Sequence, residues 1–279
     1  MHYERSAPSR REVIKRSMQG AVAAGVVFTV GTSQNLDVTR MRFPVPGLPK
    51  PLSGFRVAFA SDFHHGVYVP AETLRGAVDT INALRPHAIL LGGDYVTASS
   101  TFFDSAFDEL ACLRAPHGVF SVPGNHEYWT SVSKYRKTLG RTRIVDLTNR
   151  GVALGASSAP LWVAGLDDDW GGGPDPSAAV AGAPHGACRI AFTHNPVTAD
   201  ELPPGYANLI LAGHTHGWQV YVPGVTRFLI PSSSMRKYRA GFYDTPAGRM
   251  YVTRGVGTIG VPVRVWCRPE VVLVELAAA

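Results

Sequence analysis

Five short clusters along the chain combine aspartate, asparagine and histidine, the side chains that bind divalent transition-metal ions. Each cluster directly follows a short apolar run. They are Ala60-Ser61-Asp62-Phe63-His64-His65, Leu91-Gly92-Gly93-Asp94-Tyr95, Val122-Pro123-Gly124-Asn125-His126-Glu127, Phe192-Thr193-His194-Asn195-Pro196 and Ala212-Gly213-His214-Thr215-His216-Gly217. A single D-x-H or H-x-H is a weak signal, because alternate residues share a face at any strand end. Five clusters in order indicate a metal site whose imidazole and carboxylate ligands suit Zn²⁺, Mn²⁺ or Fe.

The apolar runs predict the strands that position these clusters. Runs of four to six mostly aliphatic residues bounded by Gly, Pro or Asp are typical of buried strands. They lie at 56–60, 88–91, 118–122, 161–166, 189–192 and 208–212. Helical patterns at about 71–84, 102–114 and 127–140 separate the early runs, and this alternation predicts α/β layers with ligands at the carboxyl ends of the strands. After Gly217, the segments 218–222, 228–230, 249–253 and 271–276 predict a second, mixed or antiparallel sheet facing the first.

Composition and charge exclude several classes of protein. The chain has 279 residues, of which 45% are hydrophobic and 17% charged, so it can bury a sizeable core and is not disordered throughout. The net charge is +6, but residues 1–50 hold eight Lys/Arg against three Asp/Glu, whereas residues 51–279 hold 19 against 18. A nearly neutral body argues against stable binding of duplex nucleic acid. Three scattered cysteines exclude a disulfide framework and a zinc cluster of cysteines.

The first fifty residues have the layout of an export signal. Arg10 and Arg11 precede an uncharged, mostly Ala/Val/Gly stretch at 18–30, which resembles a twin-arginine signal. As a helix that stretch rises about 20 Å, short of a bilayer core of roughly 30 Å. We therefore predict a twin-arginine-like signal or anchor at 1–34, a Pro-rich connector at 35–54 and one domain at 55–279 that carries the metal-binding clusters. An N-terminal helix packed on the domain is the alternative for the first segment.

The order of the motifs, D-x-H, G-D, G-N-H-[DE], H and G-H-x-H, resembles the calcineurin-like metallophosphoesterase superfamily. The similarity spans about 55–276. More narrowly, the leader, the connector and the C-terminal Arg254-Gly255-Val256-Gly257-Thr258 resemble exported bacterial phosphodiesterases of this superfamily. The resemblance implies an α/β fold, a four-layer α/β/β/α sandwich of two facing mixed sheets. It also implies a protein acting in the periplasm, in the cell wall or on the outer face of the cytoplasmic membrane.

The resemblance further implies a centre of two divalent ions, of Mn, Zn or Fe. Seven side chains would hold them: Asp62, His64 and His216 around one ion, Asn125, His194 and His214 around the other, and Asp94 between the two. Two ions about 3.5–4 Å apart can clamp the attacking and leaving oxygens of an in-line displacement, and a hydroxide bridging them would be the nucleophile. His126 follows a ligand directly and would be the general acid for the leaving alkoxide. A structural imidazole under the loop is the alternative for His126.

The activity that follows is hydrolysis of a phosphodiester or pyrophosphate bond. Two alternatives remain at this point. UDP-2,3-diacylglucosamine hydrolases resemble this motif order and act on a lipid-linked substrate, although they typically carry Arg where His126 stands. A non-catalytic metal-binding surface protein is the other, and the presence of all seven ligands argues against it. The implied partners are a phosphate ester, with lipid-linked esters included, and a membrane contacted through the N-terminal segment.

Other polar residues carry weaker predictions. His65 could reach a substrate but is more typical of a surface residue. Asp167-Asp168-Asp169 stands before a Gly-rich turn and predicts a solvated loop. Five cations within 134–143 predict a solvated helix face rather than a substrate site. Trp218 stands where the narrower family is expected to have glycine, and its ring would narrow or line the substrate cleft.

Overall fold

The computed structural model describes residues 35–155, 159–230 and 232–279. The predicted signal or anchor segment at 1–34 lies outside the described residues. Among those described, no helix combines the length and the apolar composition needed to cross a bilayer. The architecture is built from two six-stranded sheets that face each other across a hydrophobic core.

The first sheet has the strand order β1-β12-β2-β3-β4-β5. These strands are β1 at Asp37–Val45, β2 at Arg56–Ala60, β3 at Ala88–Leu91, β4 at Val119–Ser121, β5 at Ile144–Asp146 and β12 at Glu270–Ala278. Strands β2 to β5 run parallel, whereas β12 pairs antiparallel with β2 and carries β1 parallel to itself at the edge.

The second sheet has the order β10-β11-β9-β8-β7-β6. Its strands are β6 at Arg150–Leu154, β7 at Leu161–Gly165, β8 at Cys188–Phe192, β9 at Leu209–Ala212, β10 at Gly241–Thr245 and β11 at Gly248–Val252. The four inner strands are parallel, and the two edge strands are antiparallel to their neighbours. Two facing mixed sheets confirm the predicted fold class.

Helices cover the outer face of each sheet. They are α1 at Ala71–Ala83, α2 at Phe103–Leu110, α3 at Asn125–Thr130, α4 at Val132–Leu139, α5 at Pro176–Ala179, α6 at Thr226–Leu229 and α7 at Ser233–Lys237. In β2, Val57 and Phe59 enter the core between the sheets, while Ala58 and Ala60 enter the core under α1, α2 and α4. A strand buried on both faces needs a continuous apolar run, which accounts for the pattern in the sequence.

Three sequence-based assignments differ from the structure. The second sheet begins at β6 rather than after Gly217, and 271–276 belongs to the first sheet within β12. Residues 218–222 and 228–230 are not strands, since they contain a short turn at His216–Trp218 and the end of α6. Periodicity predicts that a segment is extended, but it does not say which sheet receives it.

Residues 37–45 form an edge strand of the first sheet, whereas the sequence predicted an extended connector there. All nine residues of β1 pair with β12, from Asp37 opposite Glu270 to Val45 opposite Ala278. Because an edge strand has one unpaired side, it accommodates Pro44 without losing a ladder hydrogen bond that the sheet needs. The density of prolines after Phe43 obscured this strand in the sequence.

This topology brings the polar clusters together. Parallel strands present their carboxyl ends at one edge of a sheet. The carboxyl ends of β2, β3 and β4 face those of β7, β8, β9 and β11 across the sandwich. We call the loops that follow these seven strands the carboxyl edge.

Candidate metal centre

The first group of predicted ligands joins the two sheets. Asp62 and His64 follow β2 in the first sheet, and His216 follows β9 in the second. All three are buried, and their ligand atoms lie within 4.8 Å of one another. His64 Nε2 is 2.9 Å from His216 Nε2, which in turn is 3.3 Å from Asp62 Oδ1.

The second group lies beside the first. His194 follows β8, His214 follows β9 and Asn125 begins α3, and all three are buried. His194 Nε2 is 3.1 Å from Asn125 Oδ1 and 3.1 Å from His214 Nδ1. His194 Nδ1 donates to the carbonyl oxygen of Gly92 at 2.8 Å. This bond fixes the ring so that Nε2 faces the group.

Asp94 stands between the two groups. Its Oδ2 atom lies 3.4 Å from His64 Nε2 and 3.1 Å from His194 Nε2, so one carboxylate reaches both. Its Oδ1 atom accepts the backbone N–H of His126 at 2.9 Å. The structure therefore brings together all seven residues that the sequence predicted as ligands.

The donor set fits divalent metal ions. Burial lowers the pKa of both His64 and His214 to about 3, so each ring is neutral at physiological pH and carries a lone pair. One ring nitrogen in each, Nδ1 of His64 and Nε2 of His214, has no hydrogen-bond partner although it is buried. Neutral imidazole, carboxylate and amide oxygen together match the ligand preferences of Zn²⁺, Mn²⁺ and Fe.

The carboxylates also favour a cation. Burial raises the pKa of Asp62 to about 6, and the nearby charge of Asp94 adds to the rise. For His194, burial opposes protonation, but the charges of Asp94 and Asp62 outweigh it and raise the pKa well above the usual value. A buried carboxylate that is costly to ionise is stabilised by any positive charge beside it.

The backbone at the centre is strained. Five predicted ligands adopt left-handed φ angles that side chains other than Gly rarely take: Asp62 at 56°, His64 at 48°, Asp94 at 55°, His214 at 69° and His216 at 51°. Each costs on the order of 1–3 kcal/mol, and such residues concentrate at functional sites. Backbone hydrogen bonds from Asp62 to Gly93 and from His64 to Asp94, both 2.9 Å, hold two of these turns together.

Two glycines allow the close approach of the clusters. A Cβ atom on Gly124 would lie 2.3 Å from Asp94 Oδ1, and one on Gly213 would lie 2.4 Å from Asp62 Oδ2. No side chain fits at those distances. These positions therefore need glycine because two loops pack against a carboxylate, not because of their own φ angles.

Glu127 is a buried residue of the site to which the sequence gave no role. Its Oε2 accepts the backbone N–H groups of Asp94 and Gly124, both at 2.8 Å, and its Oε1 accepts that of Tyr95 at 2.9 Å. One carboxyl group thus ties the loop after β3 to the loop after β4. The only signal in the sequence was an acidic residue two positions after Asn125.

His126 lies beside the groups rather than within them. Its Nδ1–H donates to the carbonyl oxygen of Thr97, which leaves Nε2 on the side of the centre, 4.0 Å from Asp94 Oδ2. The side chain keeps 12% of its surface exposed. Its ring contacts that of His64 edge-on at 4.7 Å between centroids. His126 is therefore placed to exchange a proton with a small molecule bound in the cleft.

A cavity of about 390 Å³ opens over the centre. The ring of Trp170 meets that of His214 edge-on, with 4.5 Å between the ring centroids, and the rings of Trp129 and His126 are 4.9 Å apart by the same measure. Trp218 lines the same cavity, as predicted, with its Nε1–H donating to Met235 O at 2.9 Å. The walls of the cavity are thus largely aromatic and aliphatic.

His65 and the segment 167–169 are not among the groups of side chains that meet at the centre. His65 is buried, not exposed, and its ring bonds to Val69 O and Ser105 Oγ, both at 2.8 Å. The expected solvated loop at 167–169 is wrong in part, because Asp167 and Asp168 are buried. Asp168 Oδ2 accepts the N–H groups of Trp170 and Gly171 and so shapes the loop that carries Trp170.

Three of the five cations of 134–143 pair with acidic side chains on the side of the first sheet that α2 and α4 cover. Lys134 Nζ lies 2.9 Å and Arg141 Nη1 3.3 Å from Asp104, and Arg136 Nε lies 3.9 Å from Asp146. None of the three lines the cavity over the centre. The predicted helix face fits these contacts better than a substrate site.

The chain is similar to known proteins over most of its length. The chain is 29% identical to the uncharacterized metallophosphoesterase YkuE of Bacillus subtilis, over 96% of this chain and 97% of that protein. It is 33% identical to the phosphodiesterase YaeI of Escherichia coli, over 80% of this chain and 82% of that protein. A solved structure, TT1561 of Thermus thermophilus, aligns over 73% of this chain and 91% of its own with a TM-score of 0.47 and 13% identity. Residues 55–218 match the calcineurin-like phosphoesterase family, and the chain belongs to that family.

Proposed function

We propose that this protein hydrolyses phosphodiester bonds at a centre of two divalent metal ions. One observation carries the proposal: Asp94 Oδ2 lies within 3.4 Å of a histidine from each of two ligand groups, so the groups share one carboxylate. Asp62, His64 and His216 would hold one ion, and Asn125, His194 and His214 the other. Ions held there would supply Lewis-acid activation of water and of a phosphoryl oxygen.

The chain's own residues supply the remaining chemistry. Thr97 O holds the Nδ1–H of His126, so Nε2 is the atom that would give a proton to the leaving oxygen. Asn125 contributes a neutral oxygen where a second carboxylate would cancel positive charge that an anionic substrate needs. Trp129 and Trp170 restrict water around the cleft and give a leaving group an apolar wall.

A diester is the proposed substrate because two features favour a substituent on both sides of the phosphorus. Trp129, Trp170 and Trp218 all line the cavity of about 390 Å³ over the centre, so apolar surface is available to more than one ester group. The relative YaeI carries the name phosphodiesterase. A pyrophosphate bond is the alternative, and it is separable by assay.

Export is part of the same proposal. The Arg10-Arg11 pair and the uncharged stretch at 18–30 support a twin-arginine route, with the enzyme acting outside the cytoplasmic membrane. Replacing both arginines by lysine should retain the protein in the cytoplasm, as measured by fractionation of a producing cell. Unchanged export would contradict this route.

The activity is tested with purified protein reconstituted with Mn²⁺, Zn²⁺ or Fe²⁺. We expect two bound ions per chain by elemental analysis, and faster hydrolysis of bis(p-nitrophenyl) phosphate than of p-nitrophenyl phosphate or pyrophosphate. Asp94→Asn should lose both ions and activity, whereas Asp79→Asn, exposed on α1, should lose neither. Two bound ions without turnover of any of these substrates would instead support a non-catalytic metal-binding protein.

A further inference from the structure

The exposed hydrophobic side chains of this protein are concentrated at one end of the molecule. Among the described residues, twelve large hydrophobic side chains are exposed, and ten of them lie in loops of the carboxyl edge. The other two, Val145 and Phe242, lie in edge strands of the two sheets. We define the apolar rim as six of the ten: Val67, Tyr68, Val225, Phe228, Leu229 and Trp266.

The apolar rim protrudes rather than packs. Phe228 is 82% and Leu229 72% exposed on the short helix α6, and Val67 is 84% exposed in the loop after β2. Trp266 is 65% exposed in the loop that leads to β12. Large apolar patches exposed on a soluble protein mark contact with a protein or a membrane.

The charge of the segment that carries Phe228 and Leu229 favours a membrane over a protein as the partner. Residues 213–240 contain Arg227, Arg236, Lys237 and Arg239 and no Asp or Glu. Lys237 Nζ lies 2.8 Å from Asp200, and Arg239 stacks on the ring of Tyr221. Arg227 is therefore the cation on which the inference depends. Arg227 is exposed directly beside Phe228. Cations next to exposed aromatic and aliphatic residues are typical of segments that bind the interface of an anionic bilayer.

The start of the described chain points the same way. Asn35, Leu36 and Tyr68 line one depression of about 840 Å³ at the carboxyl edge. The uncharged stretch at 18–30 is therefore joined to the fold at the end that carries the apolar rim. A leader retained at a membrane would hold this end toward the lipid.

We propose that the carboxyl edge docks on an anionic lipid bilayer and that the substrate is the phosphodiester of a membrane lipid. The apolar rim would enter the boundary between headgroups and acyl chains, and Arg227 beside Phe228 would contact lipid phosphates. The cleft, which Val220 and Ile230 line on the side of α6, would then open onto the headgroup layer. This proposal rests on the proposed phosphodiesterase activity.

Binding is tested on the full chain with vesicles of phosphatidylcholine alone or mixed with phosphatidylglycerol. Because the leader could bind by itself, the readout is quenching of tryptophan fluorescence by acyl-brominated lipid. We expect quenching on mixed vesicles that falls in Trp266→Phe. Equal quenching in wild type and Trp266→Phe would overturn the docking orientation.

Turnover separates docking from the chemistry. We expect Phe228→Ser/Leu229→Ser to lose about tenfold or more in hydrolysis of vesicle-borne phosphatidylglycerol, since two interfacial anchors are removed. Hydrolysis of bis(p-nitrophenyl) phosphate should be unchanged. Val145→Ser, exposed on the edge strand β5 away from the carboxyl edge, is the control and should retain both activities.

The outcomes distinguish the two proposals. Hydrolysis of the soluble diester without any hydrolysis of vesicle lipid would overturn the lipid substrate and leave the phosphodiesterase intact. Equal loss of both activities in Phe228→Ser/Leu229→Ser would also overturn docking. The two side chains would then be needed for the folded catalytic domain rather than for contact with lipid. No turnover of either substrate with two bound ions would overturn the phosphodiesterase itself.

Discussion

His126 and the seven proposed ligands differ in how their side chains are held. The ligands are tied to one another, whereas His126 is tied through Nδ1 to a backbone carbonyl and keeps Nε2 free for the cleft. Because the carbonyl holds Nδ1–H, Nε2 is the ring nitrogen that can take up a second proton and pass it to the cleft. That arrangement separates proton transfer from metal binding, so the two should be separable by mutation.

Replacing His126 by Ala should leave metal content unchanged and lower kcat by about 10²–10⁴, the usual contribution of a general acid. The loss should be larger for an alkyl leaving group than for p-nitrophenolate, because a poor leaving group depends more on protonation. Elemental analysis and kcat for matched aryl and alkyl diesters check this. An equal loss with both leaving groups would exclude the role.

Glu127 should matter through the loops it joins. Glu127→Gln keeps one acceptor oxygen and turns the other into an NH₂ group that faces a backbone N–H, so a buried donor loses its partner. We expect about 1–3 kcal/mol lower stability and weaker metal binding. Chemical denaturation and metal titration check this, with the exposed Glu72→Gln as control. Unchanged metal affinity would show that the loops hold without it.

The identities of the polar side chains at the site were predictable, but their backbone was not. Asp62, Asp94 and His214 follow apolar runs. Residue type and position alone therefore indicated that these side chains meet at the carboxyl ends of the strands. Their left-handed φ angles arise from contacts between loops distant in sequence. The sequence did not predict the role of Glu127 for the same reason, because two of its three partners are backbone N–H groups of another loop.

At the scale of the element, the turn from β4 into α3 packs directly against the carboxylate of Asp94. Gly124→Ala would place a Cβ atom 2.3 Å from Asp94 Oδ1, so the loop or the carboxylate must move. We expect a loss of metal affinity and of at least about tenfold in kcat, since displacements of about 1 Å cost rate heavily. Metal titration and kcat measurements check this.

Gly76→Ala is the matched control for that variant. A Cβ at Gly76 in α1 meets nothing within 4 Å, and Ala is favoured over Gly in a helix by about 1 kcal/mol. The control should therefore keep its metals and gain stability. Equal activity in the two alanine variants would mean that the turn adapts without affecting Asp94.

Strands buried on both faces were the elements that the sequence predicted best. The strands β2, β3, β8 and β9 are short, continuous apolar runs, which is the pattern that a strand covered on both faces requires. The edge strand β1 alternates exposed and partly buried residues and contains Pro44, so its composition resembled a linker. Which of the two sheets a strand joins depends on contacts across the whole fold. The periodicity of a short segment carries no information about those contacts.

At the scale of the whole molecule, the fold stores unfavourable charge where its two sheets meet. Asp62 and Asp94 are both buried, although the body of the protein is almost neutral. In the ion-free protein, burial and then Asp94 raise the pKa of Asp62 to about 6 from an ordinary 3.8. Divalent ions would offset this charge, so metal binding and stability should be coupled.

Asp62→Asn should therefore have opposite effects on stability with and without metal. A folded pKa above the unfolded value means that wild-type stability is lost as pH rises from about 4 to about 6, whereas Asn does not titrate. A difference of about two pKa units corresponds to about 3 kcal/mol. The low pKa values of His64 and His214 are not attributed to Asp62 and cancel in the comparison, whereas the pKa of His194, which the charge of Asp62 helps to raise, should fall in the variant.

Denaturant unfolding at about pH 4 and about pH 8 measures this difference in the free energy of unfolding. In EDTA, we expect the variant to be more stable than wild type by up to about 3 kcal/mol at the higher pH and nearly equal at the lower. With saturating Mn²⁺ the order should reverse, because the variant has lost a ligand. Asp79→Asn should follow wild type throughout. If wild type is the more stable protein in EDTA at about pH 8, Asp62 is not the site of stored charge that metal binding relieves.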